Sequence, residues 1–150
     1  MNFKGVFAFF GVRNEIKSSG LLVDLSAKPF CPEQFLVEKH VGWGFWEFNH
    51  KLNLYYLKKR RKEVVRISSL CEEFLDSQLL NANVLDYLLA NQKDIPEKLK
   101  GQRIYFLGTI YAHSPKTLCV RYLFWNDSEW SWGVNCIDNF FSDKDSIALS

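Results

Sequence analysis

Five consecutive cationic residues, Lys58-Lys59-Arg60-Arg61-Lys62, follow directly on Tyr55-Tyr56-Leu57. Cationic side chains neutralise phosphates with release of counter-ions, and aromatic faces stack on unpaired bases. With Trp43, Trp46 and Phe48 a short way upstream, the stretch 43–62 carries the residue types that a single-stranded nucleic acid needs. The same charge could meet an acidic protein partner, including the acidic end of a second copy in a head-to-tail dimer. Against both stands a plainer use of lysine, as a solvated guard on a strand end. A second set is aromatic: Tyr105, Tyr111, Trp125, Trp130 and Trp132. Such rings could line a groove for a sugar, a base or a partner peptide, although aromatic residues on sheets serve more often in core and cross-strand packing.

Residues with the means for catalysis are sparse. Glu47-x-x-His50 and Glu38-x-His40 offer carboxylate–imidazole pairs, and His113 falls at a turn. Glu-x-x-His supplies two metal ligands when a helix brings positions i and i+3 to one face. Here it lies in an aromatic run that reads as strand and turn, so the two side chains point apart. Cys31, between Pro29 and Pro32, has no histidine fixed beside it in sequence, and no nucleophile elbow, phosphate loop or dinucleotide fingerprint occurs. Gly42-Trp43-Gly44 reads as backbone room for tryptophan packing. The sequence assigns no catalytic residue, no metal and no cofactor, and leans away from an enzyme.

The 150 residues are 47% hydrophobic, 16% aromatic and 24% charged, which excludes a disordered chain and suits one domain over 1–150. The net charge of +2 hides an uneven distribution: residues 51–66 sum to +6 and residues 127–150 to −4. Cys31, Cys71, Cys119 and Cys136 have neither zinc-site spacing nor the density of a disulfide scaffold, so free thiols in a reducing cytoplasm are expected. Cys119 and Cys136 are the exception to check, because the strands that carry them should be neighbours. The apolar start, Met1–Val12, runs into Arg13-Asn14-Glu15 where a signal peptide would place small residues, and no run approaches a membrane span. The expected setting is cytoplasmic, without a membrane.

The elements that must position these residues make an α+β fold. Phe3–Val12 and Leu21–Leu25 read as strands of a hairpin, and Glu33–Lys39 after Pro32 as a short helix. Residues 43–48 should pair with 52–58 as a second hairpin, with a helix from Leu52 as the competing reading. Ser69 and Glu72 make an S-x-x-E capping box for a helix over about 70–79. Asn83 is the expected N-cap of a helix over about 84–91, with Asp86 in its first turn and Leu85, Leu88 and Leu89 as its apolar stripe. An exposed link, 92–102, leads to Arg103–Ala112, Thr117–Trp125 and Trp130–Ile137, an antiparallel three-strand meander joined by the breaks 113–116 and 126–129. The recognisable unit spans about 69–137, with 1–65 packed on or extending it.

The order Asn81-Ala82-Asn83-Val84-Leu85-Asp86-Tyr87-Leu88-Leu89-Ala90-Asn91, Ile95-Pro96-Glu97, Lys100-Gly101, Gly108-Thr109-Ile110-Tyr111, Val120-Arg121-Tyr122-Leu123, Trp125 and Trp130-Ser131-Trp132 resembles a group of small uncharacterised bacterial proteins. They share this helix-plus-strands pattern near their C-termini. The resemblance covers roughly the last 70 residues and departs from the group at Leu107, where tryptophan is usual, and at Ala112, where arginine is. It implies a bacterial cytosolic setting and carries over no site. The functional expectations therefore rank as follows. A protein-interaction module using exposed aromatic surface, with self-association as one form, comes first. Single-stranded nucleic-acid binding through 43–62 comes second, and a small enzyme without a recognisable motif third.

Overall fold

A computed structural model describes residues 21–49, 51–57 and 64–150. The strand expected over Phe3–Val12, residue His50 and the cationic run Lys58, Lys59, Arg60, Arg61 and Lys62 lie outside the described residues. Within them the chain forms β1 (Leu21–Asp24), β2 (Leu36–His40), β3 (Phe45–Phe48), β4 (Asn53–Tyr56), β5 (Val65–Arg66), α1 (Ile67–Glu73) and α2 (Ala82–Ala90). There follow β6 (Arg103–Tyr105), β7 (Thr109–Ser114), β8 (Thr117–Trp125), β9 (Trp130–Cys136), β10 (Phe140–Phe141) and β11 (Asp145–Leu149). Strands dominate, so the fold is a strand-rich α+β. Among the described residues no helix is long and apolar enough to cross a membrane.

β8 is the spine of the main sheet. Its nine residues are mostly β-branched, apolar or aromatic, the types that fit a pleated and buried surface. One edge pairs with β9 through the tight Asn126–Glu129 turn, where the Asn126 carboxamide accepts from the backbone amides of Ser128 and Glu129. The other edge is shared: β7 takes its first residues and β6 takes Tyr122 and Leu123. The sheet then extends from β7 to β2, and from β6 through β11, in parallel, to β4. Alternation along β8 sorts its side chains between two cores. Leu123 lies in one, with Val84, Leu85 and Leu88 of α2 and with Val23 and Phe48 of the separate β1–β3 ribbon. Val120 lies in the other, with Ile67 and Leu70 of α1, Val65 and Phe141. The sheet is thus the middle of three layers.

The single strand expected over Arg103–Ala112 is broken at Phe106–Gly108, and the break forks the sheet. Gly108 donates its amide to the Leu80 carbonyl (3.0 Å) and accepts from the Val41 amide (2.8 Å). A Cβ at this position would lie 2.9 Å from the Leu80 oxygen and 2.9 Å from the Asn81 Cβ. Glycine therefore lets three chain segments cross, and the two halves of the strand go to different neighbours.

Several local expectations yield to tertiary partners. The helix expected over Glu33–Lys39 is replaced by strand β2, paired with β7. A turn from Pro32 to Phe35, with Gln34 at φ 70, reverses the chain before a helix can start. Among the described residues the hairpin expected between 43–48 and 52–58 does not form, nor is there a helix from Leu52: β3 joins β1 and β4 joins β11. Helix α1 begins at Ile67 and ends at Glu73, with Ser69 inside it and no side-chain cap. Its first amides, of Ile67 and Ser68, donate instead to the carbonyls of Asn139 and Ile137 (3.0 and 2.8 Å), so the turn between β9 and β10 does the work expected of Ser69. The cap of α2 is Asn81, which accepts from the Asn83 amide at 3.0 Å, and Asn83 is a buried helical residue. The link 92–102 is only partly exposed, for Ile95 and Leu99 reach into the core.

Candidate functional site

The densest gathering of polar side chains lies where the N-terminal end of α2 meets β7, β8 and the loop that follows β1. Four backbone carbonyls at the end of β1 and in that loop are taken by side chains. Asn83 Nδ2 donates to Asp24 (3.0 Å) and Ala27 (2.8 Å), Asn81 Nδ2 to Leu25 (2.9 Å), and the Tyr111 hydroxyl to Phe30 (2.8 Å). His40 Nε2 also lies 3.0 Å from the Leu25 carbonyl, and its Nδ1 lies 2.8 Å from the Thr109 hydroxyl, which accepts from the Ala82 amide. This pattern is satisfied by a neutral imidazole that donates from Nε2 and accepts at Nδ1. Burial lowers the His40 pKa below its ordinary value, against the opposing pull of the Leu25 and Ala27 carbonyls.

Beside it, Arg121 Nη2 donates to Asp86 Oδ1 at 2.9 Å and Nη1 to Oδ2 at 3.3 Å. Their side chains are 1% and 6% exposed. The guanidinium is sandwiched between the Trp132 ring (4.3 Å to the centroid) and the Phe30 ring (5.0 Å). Burial raises the Asp86 carboxyl above its usual range, while the adjacent guanidinium opposes the shift. The Asp86–Arg121 pair is sealed and His40 is half-buried, and the hydrogen bonds of the cluster end on backbone groups and on itself. The cluster clamps the 24–30 loop and the helix to the sheet.

Of the aromatic residues considered for a binding surface, Tyr105, Tyr111 and Trp130 are core residues, so they form no surface. Burial pushes the hydroxyls of Tyr105 and Tyr111 up to about 12, and Tyr105 accepts from Asn135 Nδ2 at 2.9 Å. Trp125 and Trp132 are half-buried: Trp125 lies under the Lys100 ammonium (3.7 Å) and Trp132 is one wall of the Arg121 sandwich. Among the described residues Trp43 is the most exposed aromatic side chain, at 88%, ahead of Phe140 at 54% and of Phe45 and Tyr56 at 45%. Its flanking glycines do not make room for a packed indole, as the sequence suggested. A Cβ at Gly42 (φ 121) would lie 2.8 Å from Asn81 Nδ2, and Gly44 (φ 77) accepts from the Leu25 amide at 2.9 Å, so the two left-handed glycines shape the turn that carries the indole. A tryptophan isolated between two glycines was the available signal.

Tyr55 and Tyr56 are neighbours on β4 and so point to opposite faces. Tyr55 packs edge-on against Phe74 (5.0 Å), whereas Tyr56 is exposed and donates to Gln102 Oε1 at 3.0 Å. Beside Tyr56 an open groove of about 350 Å³ is lined by Lys51, Leu52, Asn53, Leu54, Lys98 and Leu99. Trp46 and Phe48 stack on each other (5.8 Å) in the β1–β3 ribbon, away from this strand pairing, so the structure does not join the upstream aromatics to Tyr56 through a hairpin. Glu38 is exposed and His40 is occupied by Leu25 and Thr109. Among the described residues no three histidine, cysteine or acidic side chains gather as metal ligands. Cys31, Cys71, Cys119 and Cys136 are free thiols. No family model, no curated protein and no solved structure matches this chain.

Proposed function

We propose that the protein is a protein-interaction module whose contact is centred on Trp43. The observation that carries this reading is an indole 88% exposed on a turn that is held from behind. Asn81 Nδ2 donates to the Val41 carbonyl (2.8 Å), and the Gly108 carbonyl and Leu25 amide fix the backbone on either side. A large ring presented without loss of backbone freedom suits the anchor of an interface, since tryptophan is among the residues that carry most binding energy when a pocket desolvates them. The partner this favours is a protein surface with an apolar pocket, and a second copy of the chain is one such surface. A photo-crosslinking residue placed at Phe45, with and without Trp43→Ala, tests it in a native extract alongside light scattering. Expected is a discrete adduct, or a dimer, that Trp43→Ala abolishes while the circular dichroism is unchanged. An adduct pattern indifferent to Trp43 refutes the reading.

The groove beside Tyr56 favours a second reading, binding of a single-stranded nucleic acid. Lys51 and Lys98 flank an exposed tyrosine ring there, and the chain passes through Leu57 directly into Lys58–Lys62. This composition provides phosphate neutralisation with one stacking face. Fluorescence anisotropy with labelled oligo(dT) at low salt would show binding that weakens linearly on a log–log salt scale. Binding that survives Lys51→Glu with Lys98→Glu, or none at low salt, removes it.

A further inference from the structure

We propose that Cys119 and Cys136 are an oxidisable dithiol, which a small-molecule disulfide of the glutathione class converts into a cross-strand disulfide locking the β8–β9 hairpin. The two residues are direct partners in the strand register. Hydrogen bonds at the two ends of the ladder, Ile137 amide to Leu118 carbonyl and Asn126 amide to Glu129 carbonyl (both 3.0 Å), fix which pairs are hydrogen-bonded. Counting by twos from either end puts Cys119 and Cys136 in a non-hydrogen-bonded pair. In such pairs the Cα atoms approach to about 4.5 Å with both side chains on one face. That separation falls within the roughly 4.4–6.8 Å that a disulfide spans, so the strand pairing already brings the two residues within bonding reach. The other thiols have no such partner: Cys31 donates to the Phe35 carbonyl at 3.0 Å, and Cys71 lies on α1 against the opposite core.

The two sulfurs differ in access. Cys136 is half-buried on an outer strand, whereas Cys119 is buried, and burial beside Cys136 raises its thiol pKa. The Cys136 thiolate therefore attacks the oxidant first, forming a mixed disulfide and releasing one thiolate of the reagent. Cys119 then loses its proton to solvent, and its sulfur attacks the Cys136 sulfur and expels the second thiolate. Two protein thiols are oxidised by two electrons, one disulfide is reduced to two thiols, and the two protons pass to the released thiolates. Arg121 and Val134 are the next pair on the same face, so the new bond ties β9 down beside the Arg121–Trp132 sandwich.

The test uses the whole reduced chain, as wild type and as Cys31→Ser with Cys71→Ser, incubated with glutathione disulfide and then labelled with a maleimide. Expected is the loss of two labelled thiols of the four in the wild type, and of both in the double variant. The intact mass should fall by two hydrogens, and a reducible link should join the tryptic peptides carrying Cys119 and Cys136. Hydrogen exchange across β8 and β9 should slow on oxidation. Should the double variant fail to fold, the peptide map of the wild type decides alone. Glutathione retained stably on Cys136, a link between chains or to Cys31 or Cys71, or a pair that stays fully labelled would each overturn the proposal.

Discussion

Replacing Asp86 with alanine leaves the Arg121 guanidinium in place with no counter-ion and no route to water. The side chains are 1% and 6% exposed, and both donor nitrogens that face Asp86 lose their acceptors together. Arg121 Nε already lacks a hydrogen-bond partner, so the cation has no spare contact to fall back on except the faces of Trp132 and Phe30. Breaking a buried pair from one side costs about 3–5 kcal/mol, because the orphaned charge keeps its desolvation penalty and loses its compensation. For a chain of this size each kcal/mol lowers the melting temperature by about 2–4 °C, so Asp86→Ala should melt about 6–20 °C early. The companion variant, Asp86→Leu with Arg121→Met, removes both charges and keeps an apolar filling. It should cost less than Asp86→Ala alone, which makes the cycle strongly non-additive. Urea unfolding followed by circular dichroism at neutral pH, on wild type, Asp86→Leu, Arg121→Met and the pair, gives the coupling energy, with Asp86→Ala measured beside them. A cost below about 1 kcal/mol for Asp86→Ala, the scale of exposed pairs, would show that water reaches the guanidinium and would refute the reasoning.

Two further perturbations read the same region. His40 is held neutral by burial, with its pKa below the ordinary 6.5, so the unfolded chain binds the extra proton first as pH falls. The stabilisation is complete above the unfolded value and is lost as pH drops from about 6.5 toward the lowered folded value. Urea midpoints measured from pH 7.5 to 5 should fall across that window, and His40→Gln should flatten this part of the curve; an unchanged slope contradicts the assignment. Gly108→Ala places a methyl group 2.9 Å from the Leu80 carbonyl oxygen, a backbone atom that is itself accepting a hydrogen bond and cannot rotate away. The expected cost is about 1–3 kcal/mol of overpacking in thermal or urea unfolding, and a neutral substitution would mean that the crossing of the 41, 80 and 108 segments is not tight.

What was legible in the sequence followed short-range rules. Alternation along 117–125 and 130–136, the Asn126–Glu129 turn and the apolar stripe of the second helix all depend on residues within a few positions of each other, and they stand in the structure. The misreadings arise where a distant partner outbids a local signal. Pro32 and Glu33 look like a helix start, but the left-handed turn at Gln34 and the edge of β7 claim the segment for a strand. Ser69 and Glu72 have capping-box spacing, but the carbonyls of Ile137 and Asn139, some seventy positions away in the chain, reach the helix amides first. The fork at Gly108 was invisible because Ile104, Phe106 and Ile110 keep alternating in sequence across a break caused by Leu80 and Val41.

The same logic bears on function. Perturbed titratable groups crowded together usually point to an active site, since catalysis needs shifted pKa values. Here Asp86, His40 and Tyr111 are shifted by burial and crowd together in just that way beside Arg121, and Asp86, Tyr111 and Arg121 belong to the helix-and-strand motifs that carried the sequence resemblance. Their partners decide the matter: the side chains of Asn81, Asn83, His40 and Tyr111 are directed at carbonyls of residues 24–41, and Asp86 and Arg121 neutralise each other between two rings. A group that is to handle a proton of a substrate needs one unsatisfied direction open to that substrate. The unsatisfied direction in the cluster, Arg121 Nε, is buried rather than open, so the chemistry of the cluster is spent on pinning an irregular loop whose backbone would otherwise be buried unpaired. That loop in turn sets the turn bearing Trp43, through the Leu25 amide bound to the Gly44 carbonyl and through Asn81 bridging Leu25 and Val41. The polar centre and the exposed indole are therefore parts of one construction. Loosening the centre with Asp86→Ala should blunt the contact made by Trp43 even though the two residues share no atom of contact, whereas the groove beside Tyr56, on the far edge of the sheet, should not respond.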